Sequence, residues 1–264
     1  MLSEVLTFIF FILIGLEIRE GLNKPKDAIL PSLAALGGMI VPALIFIAMS
    51  PGSDAWAVSM PTDVALAIGA LSILGKRVNP AVRLFLLTLA VADDFFSLVV
   101  IGIFFRQDLH LASAIYTLGA ASIGFLLPLR HRLIAILSPI ATFAIIPIYI
   151  FINLLTKLDF SISTESIVVA VVVARVIGKV LGITLFTYLV TRFTSFKLPP
   201  ALDLKEIVGV GFLAGMGLTV SIVIAEITLR TESELAQVRM GLFFAAILSG
   251  LLGVLWLKRF PASL

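Results

Sequence analysis

Long apolar runs separated by short polar loops make up almost the whole chain. Each run is apolar through whole helical turns rather than at alternate positions. A helix needs about 20 apolar residues to cross a bilayer, whereas a membrane-spanning strand alternates apolar and polar positions. The pattern therefore predicts an all-α polytopic membrane protein with about nine transmembrane helices. The predicted spans are residues 3–17, 28–49, 56–74, 82–105, 111–129, 133–155, 166–191, 206–229 and 235–257.

Composition supports this prediction and narrows the class of function. Hydrophobic residues make up 60% of the 264 positions and charged residues only 13%, whereas soluble domains carry about 25% charged residues. Cysteine is absent, which excludes a disulfide framework and a thiolate metal site. No span has a His/carboxylate cluster at transition-metal spacing, and no glycine-rich loop has the lysine of a nucleotide site. We therefore expect neither an enzyme, nor a bound cofactor, nor ATP-driven transport.

The basic residues predict how the chain is oriented in the bilayer. Thirteen of the 19 lysines and arginines follow the first, third, fifth, seventh or ninth span, whereas only Arg106, Lys157 and Arg230 follow the others. Short loops rich in Lys and Arg stay in the cytoplasm. The bias places the C-terminus in the cytoplasm and, with nine spans, the N-terminus in the periplasm. It also explains the net charge of +3 without nucleic-acid binding.

Two predicted spans contain sequences that interrupt a helix at membrane depth. Residues 60–63 read MPTD in the third span, and residues 209–217 contain four glycines in the eighth. Non-helical backbone in a bilayer is tolerated where it is buried in protein or lines a cavity. The interrupted spans are the middle members of two triplets, which indicates an inverted repeat of two three-helix units. We divide the single transporter domain into a first repeat (28–105), connecting panel helices (106–165) and a second repeat (166–258).

The fourth span carries two adjacent carboxylates, Asp93 and Asp94. They are the only charges between Leu84 and Phe105, and the next charges along the chain are Arg83 and Arg106. At the helical rise the pair lies about 15 Å from each arginine, in the middle of a hydrocarbon core about 30 Å thick. A carboxylate at that depth is costly unless water, a cation or a counter-charge compensates it. The pair suits a site that exchanges protons for cations; a buried structural pair is the alternative.

Two further charged residues lie at membrane depth. Lys179 sits centrally in the seventh span and needs a carboxylate partner, for which Asp93 is the candidate. One carboxylate of the pair would face a basic residue, and the other would face the cavity and exchange a proton for a cation. In the broken third span, Asp63 could neutralise the positive N-terminus of a half-helix, as Lys179 could neutralise a negative C-terminus. A simple helix cap is the alternative for Asp63.

Two more charged residues, Arg175 and Glu226, lie within the predicted spans. Arg175 lies one turn before Lys179, and Glu226 lies near the end of the eighth span. We expect the two to pair with each other or to remain at the membrane edge.

Several sequence runs resemble one family of transporters. The runs GLEIREG, GGMIVPALIF, MPTDVALAIGALSILGKRV, LTLAVADDF, IGKVLGITLF and GFLAGMGLTVSI are similar to the NhaA-type sodium/proton antiporters of bacterial inner membranes. The resemblance implies exchange of cytoplasmic Na⁺ (or Li⁺) for external H⁺ with movement of net charge. It implies that Asp94 is the main Na⁺ ligand and proton carrier and that Asp93 is the second carboxylate, paired with Lys179. Thr62 and Asp63 would lie where the two broken helices cross.

The resemblance implies that the chain is a shortened member of this family. The family's first span and its dimerising hairpin have no counterpart before Met1, and one span (111–129) stands where the family has three. The missing hairpin argues against the family's homodimer. Ile134 and Ser138 replace the family's acidic and histidine residues linked to pH activation, and the family pattern has no arginine at position 175.

The sequence is also compatible with two alternatives to antiport. The missing spans are compatible with a truncated, non-transporting membrane protein or a partner subunit of the same fold. A passive channel is the third possibility, although buried carboxylates and a lysine suit binding and release better than an open path.

Overall fold

The computed structural model describes residues 8–9, 12, 16, 25–75, 78–104, 119–120, 122–126, 146–199 and 202–260, and this part of the chain contains no strand. Its α-helices are α1 (Pro25–Met49), α2 (Val64–Ile73), α3 (Pro80–Phe104), α4 (Ile146–Asn153), α5 (Ser166–Val173), α6 (Lys179–Phe193), α7 (Leu204–Ala214), α8 (Thr219–Thr228) and α9 (Glu232–Arg259). Short 3₁₀ helices cover Asp54–Ser59, Leu155–Lys157 and Phe160–Ile162, and a π-helical turn covers Ala174–Gly178.

Four helices in the described part of the chain are long and apolar enough to cross a membrane, and α7 with α8, bent by 50° at their break, would make a fifth if the pair is one span. The straight spans are Ala28–Met49, Pro80–Phe104, Ser166–Phe193 and Glu232–Arg259. They confirm a polytopic helical membrane protein.

The remaining predicted spans are not confirmed as single membrane-crossing helices. The predicted span 56–74 is a 3₁₀ helix followed by the ten-residue α2, which is too short to cross alone. Most residues of the predicted spans 3–17, 111–129 and 133–155 lie outside the described residues, as do Ile134 and Ser138. The total of nine spans and the inverted repeat stay predictions.

Local sequence signals set the helix ends. Helices α1 and α3 begin at Pro25 and Pro80, where the missing N–H of proline costs nothing, and the Asn79 side chain accepts a hydrogen bond from the Ala81 amide at 2.9 Å. A capping box of Asp203 and Glu206 opens α7. These signals fix where the three helices begin.

Both predicted interruptions are present, and they lie against each other. The chain leaves helical conformation between Ser59 and Val64 in the first and between Ala214 and Thr219 in the second. A side chain at Gly217 would collide with the Pro61 carbonyl, so the two breaks are in direct backbone contact. Only a residue without Cβ permits this approach.

Apolar side chains form two separate clusters along the helices. Residues 30–35 of α1 belong to one cluster and residues 39–46 to the other; α3 likewise contributes residues 82–92 to the first. The helix breaks and the buried charged side chains lie between the clusters. This arrangement leaves a polar layer in the middle of the protein with apolar packing on both sides.

Helices α1 and α6 pack through glycines. A Cβ at Gly182 would collide with the backbone of Gly37, and a Cβ at Gly178 would lie 2.9 Å from the Cα of Pro42. Direct backbone contact of this kind is typical of membrane helix pairs, where small residues allow close packing. It holds Lys179, which begins α6, close to the first interrupted segment.

We expect Gly182→Ala to lower the free energy of unfolding by about 1–3 kcal/mol, because the added methyl forces α1 and α6 apart. Gly69→Ala in α2 is the matched control: a Cβ there meets no described atom within 4 Å, so its unfolding midpoint should stay near or above the original. Thermal unfolding of the detergent-purified protein measures both. Equal effects of the two substitutions would contradict the close contact.

Candidate functional site

Five charged side chains are buried in the layer between the two apolar clusters. The exposed fraction is 4% for Asp63, 0% for Asp93, 4% for Asp94 and 0% for both Arg175 and Lys179. A buried charge is unstable unless hydrogen bonds or an opposite charge compensate it. The contacts of these five residues therefore show how the site is held together.

The structure places Lys179 against Asp93, as the sequence predicted. The Lys179 Nζ lies 2.8 Å from the Asp93 Oδ2. Thr62 joins them, since its hydroxyl donates to the Asp93 Oδ2 at 2.5 Å and accepts from the Lys179 ammonium at 3.0 Å. The same ammonium also donates to the Met60 carbonyl at the end of the first 3₁₀ helix. The Asp93 Oδ1 has no hydrogen-bond partner among the described residues.

Asp63 connects the two interrupted segments through their N-terminal ends. Its Oδ1 accepts from the amides of Ala65 and Leu66, which makes it the N-cap of α2. Its Oδ2 accepts from the hydroxyl of Thr219 at 2.8 Å and from the amide of Thr219 at 3.4 Å, at the first residue of α8. One carboxylate thus compensates the positive ends of two half-helices. The sequence predicted the first of these caps and not the second.

Arg175 compensates the opposite ends of the interrupted segments. Its guanidinium donates to the carbonyls of Val58 at 2.6 Å and Pro61 at 2.8 Å, beside the first break. It also donates to the Gly215 carbonyl at 3.1 Å, where α7 ends, and to the Ser221 hydroxyl at 2.8 Å in α8. A planar guanidinium with five donors can satisfy acceptors in several directions, which an ammonium cannot do equally well.

The predicted environment of Arg175 is wrong. Arg175 neither pairs with Glu226 nor lies at the membrane edge, because the unpaired carbonyls of two helix breaks bind it in the interior. Glu226 lies instead 3.6 Å from Arg239, with 35% of its side chain exposed. The sequence signal that could have revealed this role is the spacing of four residues between Arg175 and Lys179, which puts both on one helix face.

A π-helical turn carries Arg175 into the site. Residues Ala174–Gly178 widen the helix locally between α5 and α6, and Lys179 follows directly. Such turns occur often at functional sites, because they change the direction of side chains within a helix. Both basic groups of the layer therefore come from one irregular stretch of a single span.

The carboxylate pair completes the layer. Asp93 and Asp94 lie in the continuous helix α3, and both are buried, as expected for residues at the centre of this span. In this layer three carboxylates accompany two basic side chains among the described residues. A single monovalent cation or proton would balance the formal charges.

Buried charges beside two interrupted helices define the class of this protein: a multi-pass membrane transporter for ions. Comparison with known sequences gives the family. The sequence profile of the family described as Na⁺/H⁺ antiporter 1 matches residues 1–132 and 128–257. The chain belongs to this family, whose members are transporters and not enzymes, and it is an inner-membrane multi-pass protein.

Curated relatives agree with this assignment. The Na(+)/H(+) antiporter NhaA 2 of Aliarcobacter butzleri is 31% identical over 96% of this chain and 80% of its own length. The Na(+)/H(+) antiporter NhaA of Salmonella typhimurium is 30% identical over 97% of this chain and 82% of its own length. These alignments extend over 318 and 319 positions, more than the 264 residues here, so the relatives contain stretches without a counterpart.

We expect Arg175→Gln to lower the free energy of unfolding by about 3–5 kcal/mol, because it leaves the buried carbonyls of both breaks without donors. Arg175→Lys should lose less stability, because it keeps the positive charge. It should still be less stable than the original protein, because an ammonium lacks the planar fork of donors. Arg192→Gln is the control on the same span, where the side chain is exposed and the expected change is within about 0.5 kcal/mol. A similar effect at both positions would contradict the role assigned to Arg175.

The Lys179–Asp93 pair is expected to behave as one energetic unit. Asp93→Asn and Lys179→Met should each destabilise by about 3–5 kcal/mol, because each leaves one buried group uncompensated. The loss of unfolding free energy in the double variant should be smaller than the sum of the two single losses, with a coupling energy of about 1–3 kcal/mol. Combining Lys179→Met with Asp159→Asn, a change at an exposed carboxylate, serves as the control and should be additive. Unfolding midpoints of the purified variants measure both cycles.

Proposed function

We propose that this protein is a secondary active sodium/proton antiporter that exchanges cytoplasmic Na⁺ (or Li⁺) for external H⁺. The observation that carries the proposal is the burial of Asp93 and Asp94 at the centre of α3, with Lys179 and both helix breaks beside them. Membership of the Na⁺/H⁺ antiporter 1 family supports it. Na⁺ and H⁺ are the cargo, so the exchange needs no cofactor.

Competition for the carboxylates is the basis of the exchange. Asp94 binds the cation and carries the proton, and Asp93 supplies the second carboxylate. A carboxylate oxygen that holds a proton has lost the charge that attracts Na⁺, so a site holds one or the other. Lys179 compensates Asp93 while the site is empty, which limits the cost of burying two neighbouring carboxylates.

Thr62 and Asp63 orient the groups around the cation and are not its principal ligands. The Thr62 hydroxyl already accepts from Lys179 and donates to Asp93, so it orients the second carboxylate. Both Asp63 oxygens accept hydrogen bonds at the ends of α2 and α8. We assign Asp63 to fixing the relative position of the two breaks, between which the ion passes.

Transport requires that the site open to each side of the membrane in turn. We propose that the two triplets, 28–105 and 166–258, are inverted repeats that move relative to the connecting helices. The loop charges favour a cytoplasmic C-terminus and a periplasmic N-terminus. The electrochemical gradients of H⁺ and Na⁺ set the direction of the exchange. Opposite orientation of the two interrupted helices would place like ends near the ion path.

The alternatives have less support. A non-transporting remnant has no need for Asp63, Asp93, Asp94 and Lys179 together, and all four are engaged in or beside the helix breaks. A channel needs a continuous hydrated path, whereas the buried layer lies between two apolar clusters.

We expect proteoliposomes containing the protein to dissipate an imposed pH gradient when Na⁺ is added. Asp94→Asn should reduce this rate to that of empty liposomes, because the amide neither carries a proton nor attracts Na⁺ by its charge. Asp54→Asn is the control, since Asp54 is an exposed carboxylate at the start of the first 3₁₀ helix and should transport normally. Fluorescence of a pH-sensitive dye measures the gradient.

Each alternative predicts a different result in the same assay. Transport by Asp94→Asn at the original rate would contradict the mechanism. Downhill Na⁺ leak without proton movement would indicate a channel. Failure of the well-folded protein both in liposomes and in rescuing an antiporter-deficient strain from salt would favour a non-transporting protein.

A further inference from the structure

One buried hydroxyl on α3 has no role in the network described above. Ser97 is 1% exposed, and its Oγ has no hydrogen-bond partner among the described residues. A serine in a helix can bond to the carbonyl one turn before it, and this one does not. Buried polar groups without partners are rare in native proteins and call for an explanation such as an unoccupied ligand position.

Ser97 lies on the inward face of α3, together with the carboxylates. The buried stripe of this helix runs through Val82, Leu86, Leu89 and Asp93 to Ser97 at helical spacing. The opposite face is exposed at the protein surface, with 46% of Phe95 accessible. The hydroxyl therefore belongs to the interior and not to the membrane surface.

The spacing along the helix brings Ser97 to the edge of the ion site. It follows Asp93 by four residues and Asp94 by three, a rise of about 4.5–6 Å. Residues at these spacings are neighbours on one face. The Asp93 Oδ1 also has no hydrogen-bond partner among the described residues. Two oxygens of side chains one helical turn apart thus have no hydrogen-bond partner among the described residues.

We propose that the Ser97 hydroxyl is a further oxygen ligand of the transported cation, beside Asp93 and Asp94. This inference rests on the proposed antiport function and extends it. A hard cation is stabilised by several oxygen ligands at once, and neutral hydroxyl or carbonyl oxygens commonly complete a carboxylate site. A proton needs only the carboxylate oxygen that it binds. Ser97 therefore favours Na⁺ over H⁺ and makes the site more specific for the metal ion.

Binding of Na⁺ to the purified protein tests this inference without transport. Na⁺ that binds the folded state raises the thermal unfolding midpoint, so the Na⁺ concentration that gives half of the increase reports affinity. With choline chloride keeping the ionic strength constant, Ser97→Ala should raise this concentration about tenfold, corresponding to about 1.4 kcal/mol. The Na⁺-free midpoint should stay the same or rise, because the substitution removes an unsatisfied hydroxyl.

Three further variants separate ligation from packing. Ser97→Thr keeps the hydroxyl and should retain the original Na⁺ dependence. Ser97→Cys keeps the size but replaces oxygen with sulfur, a poor ligand for a hard cation, and should behave like Ser97→Ala. Ser249→Ala is the matched control, since Ser249 is also fully buried and its hydroxyl has no partner among the described residues, but it lies in α9 beside Gly215. Its Na⁺ dependence should not change.

The outcomes distinguish this inference from the function on which it rests. If the unmodified protein is stabilised by Na⁺ and exchanges it for H⁺, while Ser97→Ala and Ser97→Cys bind Na⁺ as before, Ser97 is not a ligand and antiport stands. A fall in the Na⁺-free midpoint of both variants without a change in Na⁺ dependence would show a packing role and overturn the inference. If the unmodified protein neither binds nor transports Na⁺, the proposed function itself fails.

Discussion

Compensation of helix ends inside the membrane is the constraint on which the rest of this structure depends. Two helical segments are interrupted in the interior of the protein, and each break leaves unpaired amides on one side and unpaired carbonyls on the other. Asp63 accepts hydrogen bonds from backbone amides at the starts of α2 and α8. Arg175 and Lys179 donate hydrogen bonds to carbonyls at the first break. Arg175 also donates to the Gly215 carbonyl, at the end of α7. Without these three side chains the breaks could not remain in an apolar interior.

The same compensation explains why a carboxylate pair can be buried in α3. Lys179 has three partners, since it donates to the Met60 carbonyl, the Thr62 hydroxyl and the Asp93 Oδ2. The position of the lysine is therefore fixed by the first break, and the position of Asp93 follows from the lysine. An ion bound beside Asp94, as proposed above, would meet polar groups that the fold has already ordered, which lowers the entropic cost of binding.

Packing on either side of the layer keeps the site in place. Direct contact between Gly37 and Gly182 brings α1 and α6 together, and two apolar clusters enclose the charged groups along the helices. In such surroundings electrostatic interactions are stronger than in water, which favours both the ion pair and the binding of a cation. A small movement of one interrupted helix would also change several of these contacts together, as exchange between two sides of a membrane requires.

The sequence by itself determined the membrane class, the four long apolar helices and both interruptions, and it singled out the charged residues at the centres of the predicted spans. Hydropathy and the cost of a charge at mid-membrane depend only on local sequence, which is why Asp93, Asp94 and Lys179 stand out without a structure. Tertiary structure alone decided the surroundings of Arg175, the second helix end capped by Asp63, and the burial of the Ser97 hydroxyl. The partners of Arg175 lie 40 to 117 residues away along the chain, so these contacts follow from how distant helices pack. The local spacing shows only that Arg175 shares a helix face with Lys179.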